Sequence, residues 1–400
     1  MAETTTLPVD IYPGQDFYVP AFLVKVQNRE LLEEMNDVVS LTYSDSLANI
    51  DSFEMVINNW DAGAAVFDQS AFKYSDGDRF NPWKDVEVRM GYFQNGEDKR
   101  RVMLIGEITT MTPNFPQAGQ PTLTVRGLNL FHRFRTKQQT KAFFGKMDTE
   151  IAEELIDEIA KEIRKKSPQL RLQLNPEDAG NNKKRETKLP YVVMDNQFPI
   201  KFLMDRARDI GYELTMVEAP EGTRREVTFN FHPTSDVKRN TYVLEWGKSL
   251  ISFQPSLQVS NQVAELTVRG WNPQTKREIK VTVKRKDIKG IVTPSELGVE
   301  EPELAKKLEI VVDRPIQNED EAKLLATNRL KQIGEVLVEA KGKTVGLPDL
   351  RSGVKIQIKG VGERFGFGSR TKGIYLVTST THTIGESGYT TDFTARMENI

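Results

Sequence analysis

Apolar residues follow two rhythms along this chain. Near both ends they alternate with polar residues, as on half-buried strands, and in the middle they recur at helical spacing. The alternating runs begin with Ala21–Val26, Val38–Tyr43 and Ser52–Asn58. In Asp85–Tyr92, Val86, Val88 and Met90 share one face while Glu87 and Arg89 share the other. Arg101–Thr112 and Pro121–Leu128 flank a Pro- and Gly-bearing stretch, 113–120. Several short strands with turn signals between them predict an antiparallel barrel or sandwich.

Near residue 137 the rhythm changes. Ile151, Ala152, Leu155, Ile156, Ile159 and Ile163 predict an amphipathic helix, capped by Asp148 and stopped by Ser167-Pro168. The polar, basic stretch Asn175–Lys188 reads as a surface loop. A second helix starts at Pro199, turns Phe202, Leu203, Ala207 and Ile210 inward, and ends at Gly211. Strands Tyr212–Val217 and Arg225–Phe231 complete an α+β insert.

Alternation then returns in Thr241–Trp246, Ser249–Phe253, Val263–Gly270 and Glu278–Lys284. A Pro-bearing irregular stretch, 285–316, leads to a helix opened by Asn318 and Glu321 at capping-box spacing and stopped by Gly334. Val336–Lys341 precedes a closing meander of Val354–Ile358, Gly373–His382 and Tyr389–Met397. The last two strands are reversed by a Gly-bearing turn.

The two β regions share one layout. Pro82–Gly91 parallels Pro348–Gly360, Met103–Met111 parallels Tyr375–His382, and Thr122–Leu128 parallels Thr391–Met397. This order of elements predicts a duplicated β-unit. The literal repeat of Leu123–Gly127 at Leu266–Gly270 lies outside that alignment and reads as coincidence.

Composition narrows the function classes. The 400 residues exceed one ordinary core, and a net charge of −2 gives no electrostatic reason to bind nucleic acid or anionic membrane. No apolar run approaches the roughly 18 residues of a membrane helix, and Met1–Thr6 lacks a secretory start. The chain is therefore expected to be made and folded in a cytoplasm. It has no cysteine, which removes disulfides, thiolate metal sites and cysteine nucleophiles. His132, His232 and His382 are too widely spaced for a ligand motif and read as structural residues.

Motif look-alikes fail on context. Ala340–Thr344 resembles part of a phosphate loop, but Leu337 stands where the first Gly belongs and a helix precedes it. The Gly-rich 360–368 segment has Phe365 where a dinucleotide fingerprint needs Gly, and it joins two strands. It reads as a long hairpin loop whose Arg364, Phe365, Phe367 and Arg370 form a candidate partner contact. Glu319-Asp320-Glu321 suits a helix dipole, and the basic clusters 183–185 and 284–286 suit solvated turns. Trp271 reads as a packing anchor. No catalytic, cofactor or metal site is expected.

Several segments carry a family resemblance: Leu250–Pro255, Val268–Lys276, Gly346–Gly353, Gly373–Gly385 and Phe393–Arg396, with Phe202-Leu203 and Ala207–Glu213 in the insert. In this order they resemble the phage late control D proteins, the baseplate hub family of contractile tails, which is similar to the hub half of the type VI secretion spike protein. The resemblance implies a β-rich α+β fold with two tube-like antiparallel β-barrel domains and an α+β insert between them. The expected division is an arm at 1–20, a first barrel at 21–136, the insert at 137–236, and a second barrel at 237–400 with a helix at about 319–333. It further implies a non-enzymatic homotrimer that adapts a hexameric inner tube to a trimeric spike alongside other baseplate components. Such a chain would be part of a phage virion baseplate or an injection particle. The end at Ile400 leads to the expectation of a separate spike protein. The alternatives are a cell-envelope glycoside hydrolase, because 57 acids permit some carboxylate pair, or a carbohydrate-binding tail module.

Overall fold

The computed structural model of the chain describes residues 9–10, 19–31, 34–61, 72–94, 97–135, 137–166, 168, 170–218, 225–237, 239–272, 275–299, 308–312, 316, 318–369 and 371–398. The fold is β-rich α+β and mostly antiparallel.

The first β-unit contains β1 (Pro20–Val26), β2 (Val38–Ser46), β3 (Ser52–Asn58), β4 (Asp85–Gln94), β5 (Arg101–Asn114) and β6 (Thr122–Asn129). Alternation does what it predicts: Phe53, Met55 and Ile57 of β3 point inward, where they meet Val86, Val88 and Met90 of β4 in one apolar cluster. The insert comprises β7 (Gln139–Lys146), α1 (Asp148–Lys166), β8 (Leu170–Leu174), α2 (Pro176–Asn182), β9 (Leu189–Gln197), α3 (Pro199–Ile210), β10 (Tyr212–Glu218) and β11 (Arg225–Pro233). It has its own core, in which Ile151, Leu155 and Ile156 of α1 face Phe202, Leu203 and Phe229.

The second β-unit is built from β12 (Thr241–Glu245), β13 (Leu250–Leu257), β17 (Val338–Val345), β18 (Lys355–Lys359), β19 (Ile374–Gly385) and β20 (Gly388–Met397). Between β13 and β17 the chain detours through β14 (Glu265–Asn272), β15 (Arg277–Lys284), β16 (Leu308–Val311) and α4 (Glu319–Glu335). Leu266, Val268 and Ile279 pack there on Ala322, Ala326 and Leu330 as a separate small cluster.

Both β-units follow the same path. Hydrogen bonding orders the first as β1-β4-β5-β6-β3-β2 and the second as β12-β18-β19-β20-β17-β13. The match extends to single bonds. Trp83 N–H donates to Ile108 O (2.7 Å) and Ile108 N–H to Lys84 O (2.9 Å); Gly353 N–H donates to Val377 O (2.8 Å) and Val377 N–H to Val354 O (2.9 Å). A bulge skips Thr109 in β5 and Thr378 in β19, and each threonine hydroxyl donates to the strand opposite, at Arg126 O and Thr394 O. Further bulges skip Val39 in β2 and Ile251 in β13. The units differ at the first strand: β1 runs antiparallel to β4, whereas β12 runs parallel to β18.

These bonds make Lys84 equivalent to Val354 and Ile108 to Val377. The sequence alignment, which sets Val86 against Val354 and Met103 against Tyr375, is therefore out of register by two or three residues. A slip of two leaves alternation unchanged, and where the slip is three, Met103–Ile105 and Ile374–Val377 are unbroken apolar runs with no alternation to compare. Leu266–Gly270 lies in the small β14 sheet and not at an equivalent of β6.

Other departures have local causes. The β-units form parts of one 15-stranded sheet, and no ladder among the described strands closes either into a barrel. Within the stretch expected as a loop, Pro176–Asn182 is helical: Asn175 Oδ1 caps it by accepting from Glu177 N–H (3.0 Å). Asp148 does not cap α1; its carboxylate accepts from Arg206 (2.8 and 2.9 Å), while Glu150 accepts from Met147 N–H. Asn318 does cap α4 through Glu321 N–H (2.8 Å). Trp271 is 59% exposed and anchors no core. Of the first 20 residues, Val9-Asp10 adds as a parallel edge to β12.

Candidate interface where the two β-units meet

The two units join edge to edge. Ser379–Ile384 of β19 pairs antiparallel with Leu41–Ser46 of β2, Ser379 opposite Ser46 and Ile384 opposite Leu41. This junction has two different faces. On one, hydroxyls meet: Ser44 Oγ lies 3.2 Å from Thr381 Oγ1, and Thr42 Oγ1 lies 3.5 Å from Thr383 Oγ1. On the other, Leu41, Tyr43 and Ile384 belong to the apolar cluster of the first unit.

A buried polar network pins the junction from the turn 347–353. Arg351 donates from Nε to Asp45 Oδ2 (2.6 Å) and from Nη2 to Tyr43 Oη and Met103 O (3.1 Å). Asp45, 4% exposed, also accepts from Thr380 Oγ1 and from Ser352 N–H (3.2 Å). His382 is fully buried, with Nδ1 beside Tyr389 Oη (3.0 Å) and Thr391 Oγ1 (3.1 Å), and Nε2 beside Thr380 Oγ1 and Leu350 O (both 3.1 Å). Burial pushes the imidazole down to about 3, against the pull of Asp45, so it is neutral at physiological pH. Burial, reinforced by the Asp45 charge, pushes Asp51 up to about 7. Tyr92 Oη donates to Gly346 O (2.9 Å), linking β4 to the second unit.

The sequence reads His382 as structural, and the fold places it fully buried within this network. His232 lies between Asp178 (2.9 Å) and Glu213 (3.2 Å), and His132 against Glu107 (2.7 Å). Nothing in the sequence singled out Asp45 and Arg351, because 306 positions separate them.

The candidate contact loop divides. Arg364 and Phe367 (56% exposed) face outward, with Lys359 Nζ 5.8 Å from the Phe367 ring centre. Phe365 instead packs against the second core, and its carbonyl accepts from Tyr375 Oη (2.7 Å). Arg370 lies outside the described residues. A cleft of about 380 Å³ between the insert and α4 contains Glu213 and Glu335. Glu213 is engaged by His232 and Arg239, and Glu335 by Arg396 (2.9 Å).

This architecture matches solved tail proteins. The 43 kDa tail protein of prophage MuSo2 from Shewanella oneidensis aligns with a TM-score of 0.64 at 12% identity, over 94% of this chain and 98% of that one. A tail protein from Neisseria meningitidis MC58 aligns at 0.61 and 13%, over 95% and 97%. The chain has the fold of phage tail proteins. A type VI secretion component from E. coli, described as similar to bacteriophage T4 tail proteins, aligns at 0.52 and 12%, over 90% of this chain and 73% of that one. No curated protein matches in sequence. A family model described as the Alg8 N-terminal domain matches residues 202–386. That span starts inside α3 and stops in the turn after β19, so it cuts through two cores and corresponds to no unit of this fold.

Proposed function

We propose that the chain is a structural baseplate hub of a contractile phage tail or contractile injection system. It works as a homotrimer that adapts a hexameric inner tube to a trimeric spike. The observation that carries this reading is the repeated β-unit, with one strand order and matching bulges, joined edge to edge within one chain. A tube with six copies per ring offers six like surfaces, and a spike offers three. Three chains with two like units each present six positions to one and three to the other. The tail-protein fold supports the same assignment.

The action is mechanical and not enzymatic. In the cleft beside the insert, the carboxylates that hydrolysis would need are both taken by cationic partners. Arg364 and Phe367, on the second unit's long loop, are the contact we assign to the tube or to the spike. Mass measurement in solution with tube and spike proteins present tests the reading. It predicts a particle containing three times the 45.5 kDa chain; a chain that stays monomeric with both partners would overturn it.

A further inference from the structure

Both β-units carry an edge that matches the junction inside the chain, and two of these edges have no strand partner among the described residues. Within the chain, β19 beyond its bulge pairs with β2. In the first unit the equivalent of β19 is β5, and beyond its bulge, from Thr110 on, β5 pairs with β6 alone. In the second unit the equivalent of β2 is β13, which pairs with β17 alone. The equivalences established above place Thr110–Phe115 at Ser379–Ile384 and Phe253–Gln258 at Leu41–Ser46.

We infer that Thr110–Phe115 of one copy adds antiparallel to Phe253–Gln258 of a second copy, in the register of the intrachain junction. The pairs this generates sort by chemistry. On one face Thr110 meets Gln258, Thr112 meets Ser256, and Asn114 meets Gln254. On the other, Met111 meets Leu257, Pro113 meets Pro255, and Phe115 meets Phe253. Polar side meets polar, and apolar meets apolar, as in the junction the chain already makes. Thr112 and Ser256 even repeat the residue types of Thr381 and Ser44, whose hydroxyls touch there.

Two further features fit a docking edge. Exposed sheet edges are normally guarded by charge, by proline or by bulges, and here the guard is one proline and one adjoining bulge on each edge. In a chain with 28% charged residues, neither six-residue edge carries any. Phe115 packs edge-on against Phe72, ring centres 4.9 Å apart, yet is still 57% exposed, leaving aromatic surface that a second copy would cover. The proline pair sets the strength. Pro113 and Pro255 face each other where His382 faces Tyr43 inside the chain, and neither has an N–H to give. The contact between copies therefore has a gap in its ladder and leans on its apolar face. Because one edge differs from the other, the contact is head to tail, which builds a ring when its rotation closes and a filament when it does not.

The number of copies in that closed ring rests on the hub reading; the pairing does not. The absence of native cysteine makes disulfide trapping clean. Thr112→Cys combined with Ser256→Cys is oxidised in the full chain, alone and with tube and spike proteins. Ser44→Cys with Thr381→Cys serves as the intrachain control. The expected result is covalent dimers and trimers with nothing larger, absent from either single variant. Thr112→Cys with Gln254→Cys should react at least about tenfold less, because diagonal neighbours sit about 7–8 Å apart, beyond disulfide reach. Trimers by mass that fail to cross-link, while the control pair does, overturn the edge pairing and leave the hub reading standing. Cross-linked chains growing past three support the pairing and overturn the trimer. A chain monomeric under every condition overturns both.

Discussion

Arg351→Ala probes the junction most directly. In the native fold this guanidinium, 28% exposed, answers the carboxylate of Asp45, 3% exposed, and also satisfies Tyr43 Oη and the carbonyl of Met103. Removing it leaves Asp45 with only Thr380 Oγ1 and Ser352 N–H as donors. Breaking one side of a buried pair costs about 3–5 kcal/mol. Water reaches part of Arg351, so we take the lower end, about 3 kcal/mol. Urea unfolding followed by fluorescence reports it, with Trp60 and Trp83 in the first unit, Trp246 beside β12 of the second and Trp271 in the small β14 sheet. The double variant Asp45→Asn with Arg351→Met removes both charges and should regain at least about 1 kcal/mol relative to Arg351→Ala. A loss under about 0.5 kcal/mol for Arg351→Ala, or no gain in the double variant, would refute the view that this pair holds the units together.

Four other outcomes follow from the same geometry. Burial raises the folded pKa of Asp51 from the ordinary 3.8 to about 7, so its stabilising, protonated form is lost as pH rises between those values. Asp51→Asn should flatten that part of a stability–pH curve and raise the melting temperature at pH 8; an unchanged slope would show that Asp51 ionises freely. His382, pushed down to about 3 by burial, should show no titration of its ring signals between pH 5 and 8 in NMR spectra. A methyl at Gly342 would overlap the Phe393 ring on the neighbouring strand, so Gly342→Ala should cost about 1–3 kcal/mol in chemical denaturation. Arg364→Glu with Phe367→Ala should leave melting unchanged while weakening co-assembly with tube and spike proteins; deleting the whole loop is a poorer probe, because Phe365 would leave the core with it.

The sequence by itself determined the local elements. Alternation laid out β3, β4, β6 and β20, helical spacing laid out α1 and α3, and Asn318 with Glu321 marked the start of α4. These signals are short-ranged, because burial on one face imposes a period on neighbouring residues. They were weakest in the insert, where adjacent Phe143 and Phe144 break alternation: the first is buried and the second is 68% exposed. Tertiary structure decided the register of the duplication, since only the ladder bonds set Lys84 against Val354 and Ile108 against Val377. It also decided that the long loop turns Phe365 inward and Phe367 outward. Above all it decided which edges meet. Asp45 and Arg351 carry no local signature as partners, and β2 could be known as the mate of β19 only once both sheets existed to present their edges.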